Sequence, residues 1–147
     1  MNDITRNRLS YAGWKPDRKI DISFIKKKYE EINLEMPRSV QAFLEQYAMI
    51  KVAAQDMNED VEFDPLKAIG INLDGMYFRE VLEEYDIKET AYPIGIACRG
   101  NLSVFMTKDN VFYCFTDGYL EKDGDNVGEM LNCLVGECRK ADIILKK

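Results

Sequence analysis

The side chains best placed to do chemistry in this sequence are carboxylates and thiols, because its 147 residues include no histidine. Without imidazole there is no Ser-His-Asp or Cys-His nucleophile, no histidine acid or base, and no imidazole metal ligand. Cys98, Cys114, Cys133 and Cys138 contain no CxxC pair. They read as free core thiols, with zinc or redox chemistry as the lesser reading. Asp123 and Asp125 stand close together in Glu121-Lys122-Asp123-Gly124-Asp125-Asn126, which superficially resembles the start of a calcium loop. With either as first ligand, Leu134 or Gly136 occupies the twelfth position, where such a loop needs a bidentate Glu. A carboxylate-based enzyme is therefore a minor alternative, and a turn ending in a helix cap explains the run better. The sequence assigns no catalytic residue, no cofactor and no metal.

Charge gives a stronger signal. There are 26 Asp plus Glu against 20 Lys plus Arg, a net of −6 with a pI near 4.8. That balance argues against a nucleic-acid binder, which needs a Lys/Arg surface to displace counterions, and suits a basic partner. Residues 1 to 51 carry a net of +3 and the remainder a net of −9. The densest stretch, Asp56 to Glu89, nets −8. Such a run is either a solvated face or a surface that steers a cationic protein.

The elements that must position these charges follow from periodicity. With 46% hydrophobic residues the chain is long enough and apolar enough for one globular domain. Asp3 to Tyr11 predicts a short helix stopping near Gly13. A second helix, capped by Asp21 or Ser23, runs to about Asn33 with Ile22, Ile25, Tyr29 and Ile32 on one face. Pro37 opens a third through Tyr47, with Val40, Phe43, Leu44 and Tyr47 aligned. Ile50 to Ala54 and Val61 to Phe63 predict a hairpin, Asp64-Pro65 a break, and Asp74 to Asp86 an acidic helix. Tyr92 to Cys98, Leu102 to Thr107 and Val111 to Phe115 predict a three-stranded antiparallel meander. A last helix is capped by Asp125 or Asn126 and precedes an Ile143-Ile144-Leu145 tail. Helices before and after an antiparallel sheet make the class α+β.

Several short motifs lie along this frame: Ala12-Gly13-Trp14, Pro16, Arg18 and Asp21, then Val40, Phe43-Leu44 and Tyr47. Phe63-Asp64-Pro65, Tyr92-Pro93-Ile94-Gly95, Met106 to Tyr113 and Leu134-Val135-Gly136 follow in order. Together they resemble the third SUKH family over nearly the whole chain. Ala48-Met49-Ile50 stands where that family usually carries a Gly-Gly-Leu type turn. The motif residues are of types that set turns and packing; Trp14 is expected over the helix pair and Arg18 on a carboxylate or carbonyl.

The resemblance implies a single SUKH-like immunity domain over residues 1–147, with its mainly antiparallel sheet packed by N-terminal, middle and C-terminal helices. It also implies a bacterial immunity protein that binds a cognate polymorphic toxin. The acidic balance points to a basic C-terminal nuclease domain as partner, RNase ahead of DNase, blocked sterically and electrostatically. The expected interface is Asp56, Glu59, Asp60, Glu83, Glu84 and Asp86, with Tyr77, Tyr85 and Tyr119 as neighbouring aromatics. A regulatory scaffold is the alternative, since the superfamily includes yeast cell-wall-synthesis regulators, but those carry long disordered extensions. No apolar run reaches membrane-spanning length and MNDITRNRLSYAGW lacks the apolar core of a signal peptide, so the expected location is cytoplasmic.

Overall fold

The computed structural model describes residues 1–147. Three helices come first: α1 (Asp3–Tyr11), α2 (Ser23–Glu31) and α3 (Arg38–Tyr47). Asn2 caps α1 by accepting the Thr5 N–H at 2.9 Å, and Gly13 takes φ +107° just beyond its end. Asp21 does not cap α2; Ile22 sits at that position, and the Asp21 carboxylate accepts the Ser23 N–H at 2.9 Å. Pro37 lies at the N-cap of α3 rather than within its first turn.

Strands β1 (Lys51–Val52) and β2 (Val61–Glu62) form the expected hairpin, shorter than the apolar runs that predicted it. Asp64-Pro65 does more than break the second strand. The Asp64 carboxylate accepts the Leu66 N–H at 3.0 Å and Pro65 starts a short helix, α4 (Pro65–Ile69). The acidic helix expected over Asp74–Asp86 is split into α5 (Gly75–Glu80) and a 3₁₀ turn (Glu83–Tyr85). Its carbonyl at Phe78, which a continuing helix would offer to Leu82, instead accepts the Ala91 N–H at 2.8 Å, and Asp86 ends the turn at φ +61°.

The meander is longer than periodicity indicates. To β3 (Tyr92–Ala97), β4 (Leu102–Met106) and β5 (Phe112–Thr116) are added β6 (Tyr119–Gly124) and β7 (Asp142–Ile144), with the expected last helix, α6 (Val127–Leu134), between them. The run Glu121 to Asn126, read as a turn, is mostly strand; its end supplies the cap, Asn126, whose side chain accepts the Glu129 N–H at 2.8 Å. All seven strands pair antiparallel in sequence order, so the architecture is α+β.

Register separates the two sheet faces. Phe105 and Phe115 lie on one face, where Phe78 of α5 meets Phe105 at 6.0 Å and Tyr85 meets Phe115 at 6.5 Å between ring centres. Phe112 lies on the other, against Phe43 of α3 at 5.5 Å. Trp14 stacks on Tyr47 at 5.9 Å, and the Arg18 guanidinium donates to the carbonyls of Gln46 and Ala48 at 2.7 and 2.8 Å. Both motif residues therefore hold the fold together. Gly95 is required by proximity: a Cβ there would collide with the backbone oxygen of Glu62 and come within 2.9 Å of the Phe63 Cα. Met49, in the place of the family's glycine turn, takes φ +67° and still donates its N–H to the Phe63 carbonyl at 2.7 Å.

The chain also closes on itself. Asn2 donates its N–H to the Asn132 side chain at 3.0 Å, Thr5 hydrogen-bonds the same oxygen at 2.8 Å, and Arg8 donates to the Val135 carbonyl at 2.7 Å, clasping α1 to α6. No helix is long and apolar enough to cross a membrane.

Candidate partner-binding surface

Between α5 with its 3₁₀ turn and the ends of β4 and β5 lies a groove of about 620 Å³. Glu80 and Glu84 reach it from the helical side and Asp117 from the β5–β6 turn, with Tyr77, Phe115 and Asn101 among its other walls. No Lys or Arg lines it. Burial, and secondarily the Asp117 charge, push the Tyr77 hydroxyl pKa up. Glu84 pairs with Lys146 at 3.1 Å, but both side chains are about half exposed or more, so water screens the pair and a cationic competitor can replace it.

The nine residues expected at the interface are dispersed. Tyr77 and Glu84 share the groove. Glu83 and Asp86 line an adjoining depression with Arg79 and Lys88, where the charges are mixed. Asp56, Glu59 and Asp60 belong to the β1–β2 loop, which is tied down internally. Asp56 pairs with Arg8 at 3.1 Å, which holds its carboxyl below the usual range, and the Glu59 N–H donates to Glu137 at 3.1 Å. Asp60 accepts the Arg99 N–H at 2.8 Å, beside the groove residue Gly100. Tyr119 stands on β6 with its hydroxyl donating to Glu121 at 2.6 Å. Tyr85 is a correction: only 3% exposed, it packs edge-on to Phe115 and offers no surface ring.

Glu80, Asp117 and Phe115 escaped the sequence reading. Asp117-Gly118 between Thr116 and Tyr119 is a two-residue hairpin signal that would have placed Asp117 at a strand end, next to the exposed tip of β5.

Asp123 and Asp125 do not form a carboxylate pair. Asp125 is exposed and bound to Lys122 at 3.1 Å, whereas Asp123 is fully buried. Nor are all four cysteines core residues: Cys114 is buried, Cys98 and Cys133 are half-buried, and Cys138 is exposed. Cys138 lies beyond α6, where its thiol accepts from the Asn2 side chain.

Comparison with curated proteins and with solved structures finds no match. A family model, that of the SUKH-3 immunity protein, matches residues 1–137. The matched span takes in every element from α1 to α6, the groove and the motif residues Trp14, Arg18 and Gly95, so the chain belongs to the SUKH-3 immunity protein family.

Proposed function

We propose that this immunity protein works in the cytoplasm of the cell that makes the toxin, as one domain over residues 1–147. It covers the toxin's working surface, and the toxin is a basic C-terminal nuclease domain, an RNase ahead of a DNase. The observation that carries this reading is the groove of Glu80, Glu84 and Asp117, lined by no Lys or Arg, walled by Tyr77 and Phe115 and met at its edge only by the exposed Lys146 ammonium on Glu84, on a chain of net charge −6. A nuclease must attract phosphate and so presents Lys and Arg; complementary potential speeds its capture and occupies the surface meant for nucleic acid. A standard interface covers about 800 Å² per partner, so the groove serves as its centre, with Glu83 and Asp86 at the rim. Binding alone accomplishes neutralisation, and no bond is made or broken.

The test is co-expression with the toxic C-terminal domain encoded beside this protein. Wild type is expected to restore growth and co-purify. The Glu80→Lys, Glu84→Lys, Asp117→Lys variant, shown folded by circular dichroism, is expected to lose both, and to associate about tenfold or more slowly at low salt. Full rescue by that variant would move the interface off the groove. Absence of nuclease activity in the bound toxin domain would overturn the partner's assignment.

A further inference from the structure

On the sheet face opposite the groove, the pairing of β5 with β6 sets Cys114 directly across from Glu121. One residue later β6 carries a bulge: Tyr113 pairs with Lys122 and Phe112 with Gly124, leaving Asp123 as the extra residue. The Cys114 sulfur and one carboxylate oxygen each of Glu121 and Asp123 all lie within 4.8 Å of one another. Helix α6 brings Cys133 to the edge of this set of three, its thiol donating to Asp123 Oδ1 at 3.7 Å. Two thiols and two carboxylates thus converge from three elements.

The arrangement is incomplete as a purely internal network. Asp123 is 0% exposed, yet its Oδ2 has no hydrogen-bond partner. The nearest cation does not answer it: Arg139 donates to the Asp123 backbone carbonyl at 2.8 Å and to Glu129 at 3.3 Å. A buried, unpartnered carboxylate oxygen among thiols is costly unless a positive charge or a proton sits there.

We propose that Cys114, Glu121, Asp123 and Cys133 form a site for a thiophilic divalent cation of the zinc type. Four donors suit its tetrahedral preference, and a pair of thiolates selects it over magnesium and calcium, which want oxygen shells. Supporting contacts are already in place. Tyr119 donates to Glu121 Oε1, leaving Oε2 for the cation, and Arg139 fixes the backbone at Asp123. Glu121 and Cys133 are only half-buried, which gives the ion a way in. On loading, the two S–H protons and any proton on Asp123 leave to solvent, and the cation takes their place without any change of oxidation state. The bound ion joins α6 to the β5–β6 hairpin and therefore stabilises the fold rather than supplying catalysis.

The experiment is a titration of the full-length, reduced, chelator-stripped protein with Co²⁺ alone, then with Zn²⁺. One equivalent of cobalt is expected to give a thiolate-to-cobalt charge-transfer band with visible bands of tetrahedral intensity. Zinc should abolish both and raise the melting temperature. Cys133→Ser should weaken cobalt affinity by upwards of about 100-fold, beyond the loss seen for residues that only orient a ligand. Cys138→Ser should leave the spectrum unchanged. Absence of the charge-transfer band in folded wild type under excess cobalt would overturn the site, whatever the variants do. So would a band that persists in Cys133→Ser and vanishes in Cys138→Ser.

Discussion

An exposed aspartate ionises near pH 3.8, whereas burial beside Glu121 lifts Asp123 to about 9 in the folded chain. Between those values the unfolded chain has lost a proton that the folded one keeps, so folding takes up a proton. The stability that Asp123 contributes to the metal-free protein is therefore fully present below about pH 4 and is lost as pH rises toward 9. Urea titrations in chelator from pH 5 to about 9 should show this fall, and Asp123→Asn should flatten it. Single residues were legible to different degrees. Trp14 and Arg18 were read as packing and anchoring side chains, and the ring stack on Tyr47 and the bonds to two carbonyls are what the fold contains. The sequence places Asp123 in a turn ending in a helix cap, because its burial depends on a bulge that exists only through pairing with β5. The sequence places Tyr85 among the aromatics beside the acidic interface, but in the 3₁₀ turn its ring packs edge-on to Phe115.

At the level of elements, α6 depends on its first turn. Asn126 accepts the Glu129 N–H at 2.8 Å, and the Glu129 carboxylate accepts the Asp125 N–H, one residue before the cap, at 2.9 Å. Asn126→Ala should cost about 1 kcal/mol, measured as a lower urea midpoint with unchanged slope. If the proposed cation bridges α6 to β6, zinc should recover part of that loss. Helices α2 and α3 and the central strands are legible because each carries its own apolar period, and α1 because Gly13 marks its end. The split of α5 was not, since the competing donor, Ala91, is remote in sequence. Strands β6 and β7 were missed for a related reason: Tyr119-Leu120-Glu121-Lys122-Asp123-Gly124 is largely polar, and becomes a strand by pairing with β5 and β7 rather than by pattern. The groove was correspondingly half legible: Tyr77 and Glu84 were expected, while Asp117 and Phe115 arrive through the β5–β6 hairpin.

Across the whole molecule, the positive first third and the acidic remainder are bound together by the clasp of α1 on α6. Asn132 is its hub, accepting from both the Asn2 N–H and the Thr5 hydroxyl. Asn132→Ala leaves the Asn2 N–H without its acceptor and the Thr5 hydroxyl with Asn2 Oδ1 alone, at 2.7 Å, and should lower stability by about 1 kcal/mol, read by thermal or urea unfolding, while the groove's affinity for its partner stays unchanged. The clasp also bears on synthesis. Strands β1 to β7 pair in the order in which they leave the ribosome, so the sheet can grow as each new strand emerges. Helix α1, made first, has no Asn132 or Val135 to hold it until α6 has been translated. A nascent chain stopped before that point already carries the groove but lacks the closure of α1 on α6, so the clasp is a late, post-translational step of folding.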